Sequence, residues 1–202
     1  MKNAPQATPI EEDAEERLLA VAALIDEFEG YARNRQQGAH AARIAVLADA
    51  LAIKFQLAAH DRFALRQAAL VHDIGEMVMN REYTKASWIL HPDERFDMQR
   101  HAVIGEQEAA KRGLGRTVQL LVRWHHEWWN GAGYPDAIER EQIPLAARIL
   151  RLADTYVALT GARSYREAFS AAAAEKYLTD WAGIEFDPRV VKMFLTLEET
   201  EK

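Results

Sequence analysis

Cysteine is absent from this 202-residue chain, which excludes disulfides, thiolate nucleophiles and iron–sulfur clusters. Any metal it holds must be bound by nitrogen and oxygen donors. A basic excess is lacking too: 25 Lys and Arg stand against 31 Asp and Glu, for a formal charge of -6. A general nucleic-acid binder needs a basic face to neutralise phosphates, so nucleic acid is not an expected partner. Long apolar runs are missing as well. The longest, Leu18 to Ile25, falls far short of the roughly 20 residues that cross a bilayer, and no membrane partner is expected. Met1 to Pro9 carries no charged-then-apolar export pattern. Residues 1–10 read as a short disordered tail, and a cytoplasmic location is the expectation.

No convincing strand alternation occurs, whereas helical periodicity runs from end to end. With 49% hydrophobic residues, the chain is long enough for one well-buried core. The expected fold is therefore all-α, a single-domain helical bundle over 35–202 preceded by an N-terminal helix over 11–34. Leu18, Leu19, Ala22, Ile25 and Phe28 share a face of that first helix. Further helices are expected over Ala41 to Leu57, then Arg62 to Val71 with Asp61 as N-cap. Glu76 to Arg95 reads as irregular and broken by Pro92. A helix over Phe96 to Lys111 should stop at Gly113 and Gly115. Thr117 to Glu127, a long helix from Pro144 to Thr160, Arg166 to Trp181 and Pro188 to Glu199 complete the set.

Within this apolar framework stand polar residues where a buried helical surface should be apolar: His40, His72, Asp73, His101, His125, His126 and Asp154. A charge is rarely buried unless paired or coordinated. Donors spread over several helices of a bundle point to a metal centre in its core. The adjacent His125 and His126 lead into Gly131-Ala132-Gly133-Tyr134-Pro135. Neighbouring helical positions diverge by about 100°, so the two imidazoles suit two metal ions side by side. By contrast, His60 and His91 read as loop histidines. Glu127 has two readings, a general base or a carboxylate orienting a ligand histidine. Trp124, Trp128 and Trp129 are candidates either for stacking a base or for packing.

The ordered set Ala69-Leu70-Val71-His72-Asp73-Ile74-Gly75, Met98 to Gly105, His125-His126-Glu127, Gly131 to Pro135, Ile143 to Leu150, Ala153-Asp154-Thr155-Tyr156 and Phe186-Asp187-Pro188 resembles the HD-GYP family, a branch of the HD phosphohydrolases. The resemblance implies a di-metal site of iron or manganese, with zinc also compatible, that hydrolyses cyclic di-GMP or a related cyclic dinucleotide through a metal-bridging hydroxide. By position, His40, His72, Asp73 and Asp154 would hold one metal. His101, His125 and His126 would hold the other, with Asp73 bridging. Asp73 and Glu76 are the carboxylates assigned to catalysis; Asn130, Tyr134, Arg163, Tyr165 and Arg166 are the substrate-binding candidates. Four positions depart from the family pattern. Glu76 stands where the family has Lys, Asn130 and Val157 where it has Asp, and Gln36 where three-metal members have Glu. Glu76 and Asn130 read as a coupled change. The alternatives are a degenerate domain that binds metal or nucleotide and docks a signalling partner through the Gly-Tyr-Pro turn, and a phosphohydrolase of another nucleotide.

Overall fold

Alanine decides how closely the central helices approach. In a computed structural model, which describes residues 18–19, 21–22, 40–85, 89–161 and 167–198, helix α1 (His40–Lys54) buries His40, Ala41, Ile44, Ala45, Leu47, Ala48, Leu51 and Ala52. Half of that face is alanine, so α2 (Ala59–Val71) packs directly against it. The short α3 (Ile74–Met79) follows after the His72–Asp73 break. Next come α4 (Pro92–Met98), α5 (His101–Lys111) and α6 (Arg116–Trp124). The longest described helix, α7 (Leu145–Thr160), packs on α1, α2 and α6, and α8 (Ala171–Asp180) and α9 (Pro188–Phe194) lie against it. Among the described residues there is no strand, only an isolated bridge between Ala182 and Phe186. The core runs along α1, α2, α7 and α9 through Ile44, Leu47, Leu51, Leu65, Ile149, Leu150 and Phe194. Each such fully buried side chain is worth about 1.5–3 kcal/mol over exposure.

One crossing sets the position of the site. A Cβ added at Gly75 would lie 2.0 Å from His101 O and 2.8 Å from Gly105 N. Only glycine lets α3 and α5 touch backbone to backbone there.

Several boundaries differ from expectation. Asp61 lies inside the first turn of α2, because Ala58 takes the N-cap position. Glu76 to Arg95 holds α3, a 3₁₀ turn (Glu82–Lys85) and the start of α4. Pro92 opens α4, where the absent N–H costs nothing, and Glu94 accepts the His91 N–H at 2.9 Å in a capping box. The expected helix over Phe96 to Lys111 is broken at Gln99–Arg100, where the ladder tightens to an i−3 bond from Arg100 N to Asp97 O. Gly113, at φ +74°, ends α5 as expected. Pro144 is the N-cap of α7, Ser170 caps α8 through its hydroxyl, and α9 stops at Phe194. Most of the N-terminal helix, the tail, Gln36, Arg163, Tyr165 and Arg166 lie outside the described residues.

Candidate metal centre

Helix ends carry carbonyls without intrahelical partners, and three histidines exploit this in the same way. His72 at the end of α2 aims Nδ1 at Ala69 O (2.9 Å), and His125 at the end of α6 aims Nδ1 at Val122 O (2.6 Å). His101 reaches back to the last residue of α4, with Nδ1 2.7 Å from Met98 O. With Nδ1–H donated to a carbonyl, each ring presents its Nε2 inward. The C-terminal dipole ends of α2 and α6 also face this region, which favours positive charge there.

The Nε2 atoms converge on two carboxylates. Asp73, the residue between α2 and α3, has Oδ2 2.9 Å from His72 Nε2. Its other oxygen lies 3.6 Å from His101 Nε2 and 3.5 Å from His125 Nε2. Asp154 Oδ1 stands 3.9 Å from His40 Nε2 and 3.8 Å from His72 Nε2. Two donor groups result: Asp73, His101, His125 and His126 form one, and His40, His72 and Asp154 the other. All seven sequence-chosen ligands are thus brought together, and Asp73 touches both groups.

The residues fit divalent cations. His101 Nε2 and His125 Nε2 face each other at 3.3 Å. With both Nδ1 atoms on backbone carbonyls, the two Nε2 lone pairs face each other, an arrangement that a shared cation would relieve. The donor set of imidazole and carboxylate is the type that iron, manganese and zinc accept. Burial, reinforced by the neighbouring imidazole of His72, holds His40 down to about 3, and burial holds His101 down to about 4. These rings are therefore neutral and ready to ligate at neutral pH. Burial alone would raise Asp73, but the imidazoles of His72, His125 and His101 outweigh it and keep the carboxylate ionised.

Glu76 lies one helical turn beyond Asp73, and its side chain is 8% exposed. Burial and the charges of Asp73 and Asp154 push its carboxyl well above the usual range. It therefore faces the centre. Asn130 is exposed and closes its own turn, its Oδ1 accepting from Ala132 N–H at 3.0 Å. No contact between the two residues supports a coupled pair. Val157 is fully buried one turn after Asp154, so it belongs to the core, where a carboxylate would be a buried charge.

The Gly-x-Gly-Tyr-Pro segment forms one wall. Gly131 has φ +81°, and a Cβ on Gly133 would meet Trp128 N at 2.2 Å and His126 O at 2.5 Å. This close approach lays the Tyr134 ring on His126, with centroids 4.8 Å apart and planes 30° apart. The Tyr134–Pro135 peptide is cis. Tyr134 is turned onto the centre, not outward as a docking residue would be.

Other candidates have structural partners. Glu127, 2% exposed, accepts the Asp136 N–H at 2.7 Å and so braces the loop after Tyr134. Trp124 donates to Asp136 at 2.7 Å, Trp128 packs edge-on to Trp181, and the Arg148 guanidinium covers Trp129. His60 is exposed beside Asp61, in the first turn of α2 and not in a loop, and His91 caps α4.

Two ion pairs escaped the sequence reading. Arg148 donates to Asp187 at 2.6 Å and to Ile143 O at 2.8 Å, joining α7 to the start of α9. Arg151 donates to Glu185 at 2.5 Å and to His126 Nδ1 at 2.9 Å. Their only signal was two arginines three residues apart in an otherwise apolar helix.

Residues 31–190 match the family model described as HD domain. A 3'3'-cGAMP-specific phosphodiesterase 2 of Vibrio cholerae is 30% identical, over 81% of this chain and 32% of that protein. A cyclic di-GMP phosphodiesterase of the same organism is 35% identical, over 83% of this chain and 37% of that protein. The chain thus spans about a third of the length of the curated relatives it matches. A solved structure described as an HDG"Y"P protein of Bdellovibrio bacteriovorus superposes with a TM-score of 0.65 at 20% identity, covering 92% of this chain and 65% of that one. This likeness concerns the fold.

Proposed function

The chain belongs to the HD domain family, in its HD-GYP branch, and from that premise we propose that it is a metal-dependent phosphodiesterase of cyclic dinucleotides, cyclic di-GMP foremost. The observation that carries this reading is the pair of donor groups that meet at Asp73, a member of one and 2.9 Å from His72 of the other. Divalent ions held by His40, His72 and Asp154 on one side and His101, His125 and His126 on the other would supply Lewis acidity and an activated water for in-line attack. Iron and manganese suit these donors, with zinc compatible. Asp73 positions both halves through its two oxygens. Tyr134 makes a wall against His126 where a base or ribose can lie. Asn130 is an exposed residue of the loop that leads to Tyr134, and Arg163, Tyr165 and Arg166 follow in sequence after α7, which carries Asp154. A bacterial signalling role in the cytoplasm accords with this chemistry, with the domain over 35–202 as the working unit.

A second reading rests on Glu76. A carboxyl at the centre lacks the attraction a lysine there would give, roughly 4 kcal/mol for a phosphate charge at 4 Å and an effective dielectric of about 20 before solvent screening, and in its ionised form it repels. The domain would then bind metal, or a less anionic nucleotide, without turning over cyclic di-GMP. Purified protein loaded with Mn(II), or with Fe(II) under anaerobic conditions, separates the readings when offered cyclic di-GMP, cyclic GMP-AMP and linear nucleotides. Hydrolysis that disappears in Asp73→Ala and rises in Glu76→Lys supports the enzyme. Metal-loaded protein inert towards the whole panel rejects it.

A further inference from the structure

Arg151 and Glu185 have no part in the chemistry above, yet they join the two donor groups. We propose that Arg151 is a positioning residue that competes with a metal ion for His126, so that the two metal positions differ in affinity; this rests on the metal-centre reading. Arg151 sits one turn before Asp154 on α7, and its side chain is 14% exposed. One nitrogen, Nη1, lies 2.9 Å from His126 Nδ1 and 3.6 Å from Asp154 Oδ2. The other, Nη2, donates to Glu185 at 2.5 Å. Glu185 is 3% exposed and is itself fixed: Tyr177 Oη donates to it at 3.4 Å, and its backbone oxygen accepts Trp129 N–H at 3.1 Å.

A guanidinium has N–H donors and no acceptor, so His126 Nδ1 must be the acceptor in this contact. In a neutral ring the proton then sits on Nε2, and no nitrogen lone pair is left for a metal. His72, His101 and His125 show the opposite arrangement, each with Nδ1 on a carbonyl oxygen and Nε2 turned inward. His126 can ligate only after Arg151 releases it. The alternative acceptor within reach is Asp154, a ligand of the other group, and Glu185 limits how far the guanidinium can withdraw. The position that needs His126 is therefore the weaker one.

The test measures metal binding and not turnover. Metal-stripped protein is titrated with Mn(II) while free ion is followed by electron paramagnetic resonance. Wild type should bind one ion tightly and a second roughly tenfold or more weakly. Arg151→Met alone leaves the Glu185 carboxylate buried without its cation, so the main variant is Arg151→Met with Glu185→Gln. Its second ion should bind roughly tenfold or more tightly than in wild type, and Glu185→Gln alone should move the same way. Two equal sites in wild type, or a gap unchanged in the double variant, would overturn the competition while leaving the metal centre standing. Loss of the second ion from a folded double variant would also overturn it, since Arg151 would then be supporting His126. No Mn(II) bound by any form would reject both readings.

Discussion

Adding one methyl group at Gly75 should damage both the fold and the metal centre. A Cβ there lies 2.0 Å from His101 O, roughly 1.4 Å short of ordinary contact, and the atom it meets is backbone. No side-chain rotation relieves the overlap, so α3 and α5 must separate. Overpacking of this kind costs about 1–3 kcal/mol and occasionally more. For a chain of this size each kcal/mol lowers Tm by about 2–4 °C, giving a drop of roughly 2–12 °C for metal-free Gly75→Ala. The displacement also carries His101, whose Nε2 is 3.6 Å from Asp73 and 3.3 Å from His125. Ligand distances tolerate only about 0.2 Å, so Mn(II) retention should fall roughly tenfold or more. Circular-dichroism melts with and without Mn(II), together with metal content after dialysis, measure both effects. Gly115→Ala is the control: nothing lies within 4 Å of the added Cβ, and its Tm should stay close to wild type. If Gly75→Ala melts with wild type and keeps its metal, the α3–α5 contact does not set the position of His101.

Other outcomes follow from the same geometry. Arg148→Ala leaves Asp187, a 1% exposed carboxylate, without its cation; urea unfolding should show a loss of about 3–5 kcal/mol, much of it recovered in Arg148→Met with Asp187→Asn. In the metal-free protein, His40 and His101 are held to about 3 and about 4, so the unfolded chain takes up protons that the folded one refuses. These two histidines should leave stability intact above pH 6.5 and lower it between about pH 6.5 and 3, as denaturant midpoints across that range will report. Glu76 acts in the opposite sense: its raised carboxyl costs stability as pH climbs through 4.5. Metal-free Glu76→Gln should exceed wild type at pH 7 and match it below pH 4.5, and equal midpoints at pH 7 would contradict the buried-charge argument.

The cluster of candidate ligands was legible because a histidine or aspartate inside an apolar helical run breaks a pattern that only coordination or pairing restores. His72 after Leu70-Val71 and Asp154 after Leu152-Ala153 are cases in point. Helix ends were less legible. The break at Gln99–Arg100 has no glycine or proline to announce it, and the start of α4 at its own cap around Pro92 shifts the helix boundaries further. The loop-bracing contact of Glu127 was not legible for a related reason: a carboxylate beside two histidines suggests chemistry, whereas the partner of its Oε1 is the backbone of a loop nine residues on. Arg151 and Glu185 were invisible because they are 34 residues apart, and only the packing of the turn after α8 against α7 joins them.

The hydrogen bonds from His72, His101 and His125 to the carbonyl three residues earlier have a mechanical consequence. Each ring is clamped to the helix turn that precedes it, with no flexible linkage between imidazole and helix axis. A helix that slides by an ångström moves its nitrogen by about as much. The centre therefore works like a strain gauge glued across α2, α4 and α6. An ion held there would feel anything that pushes on those rods, and by reciprocity it would resist the push.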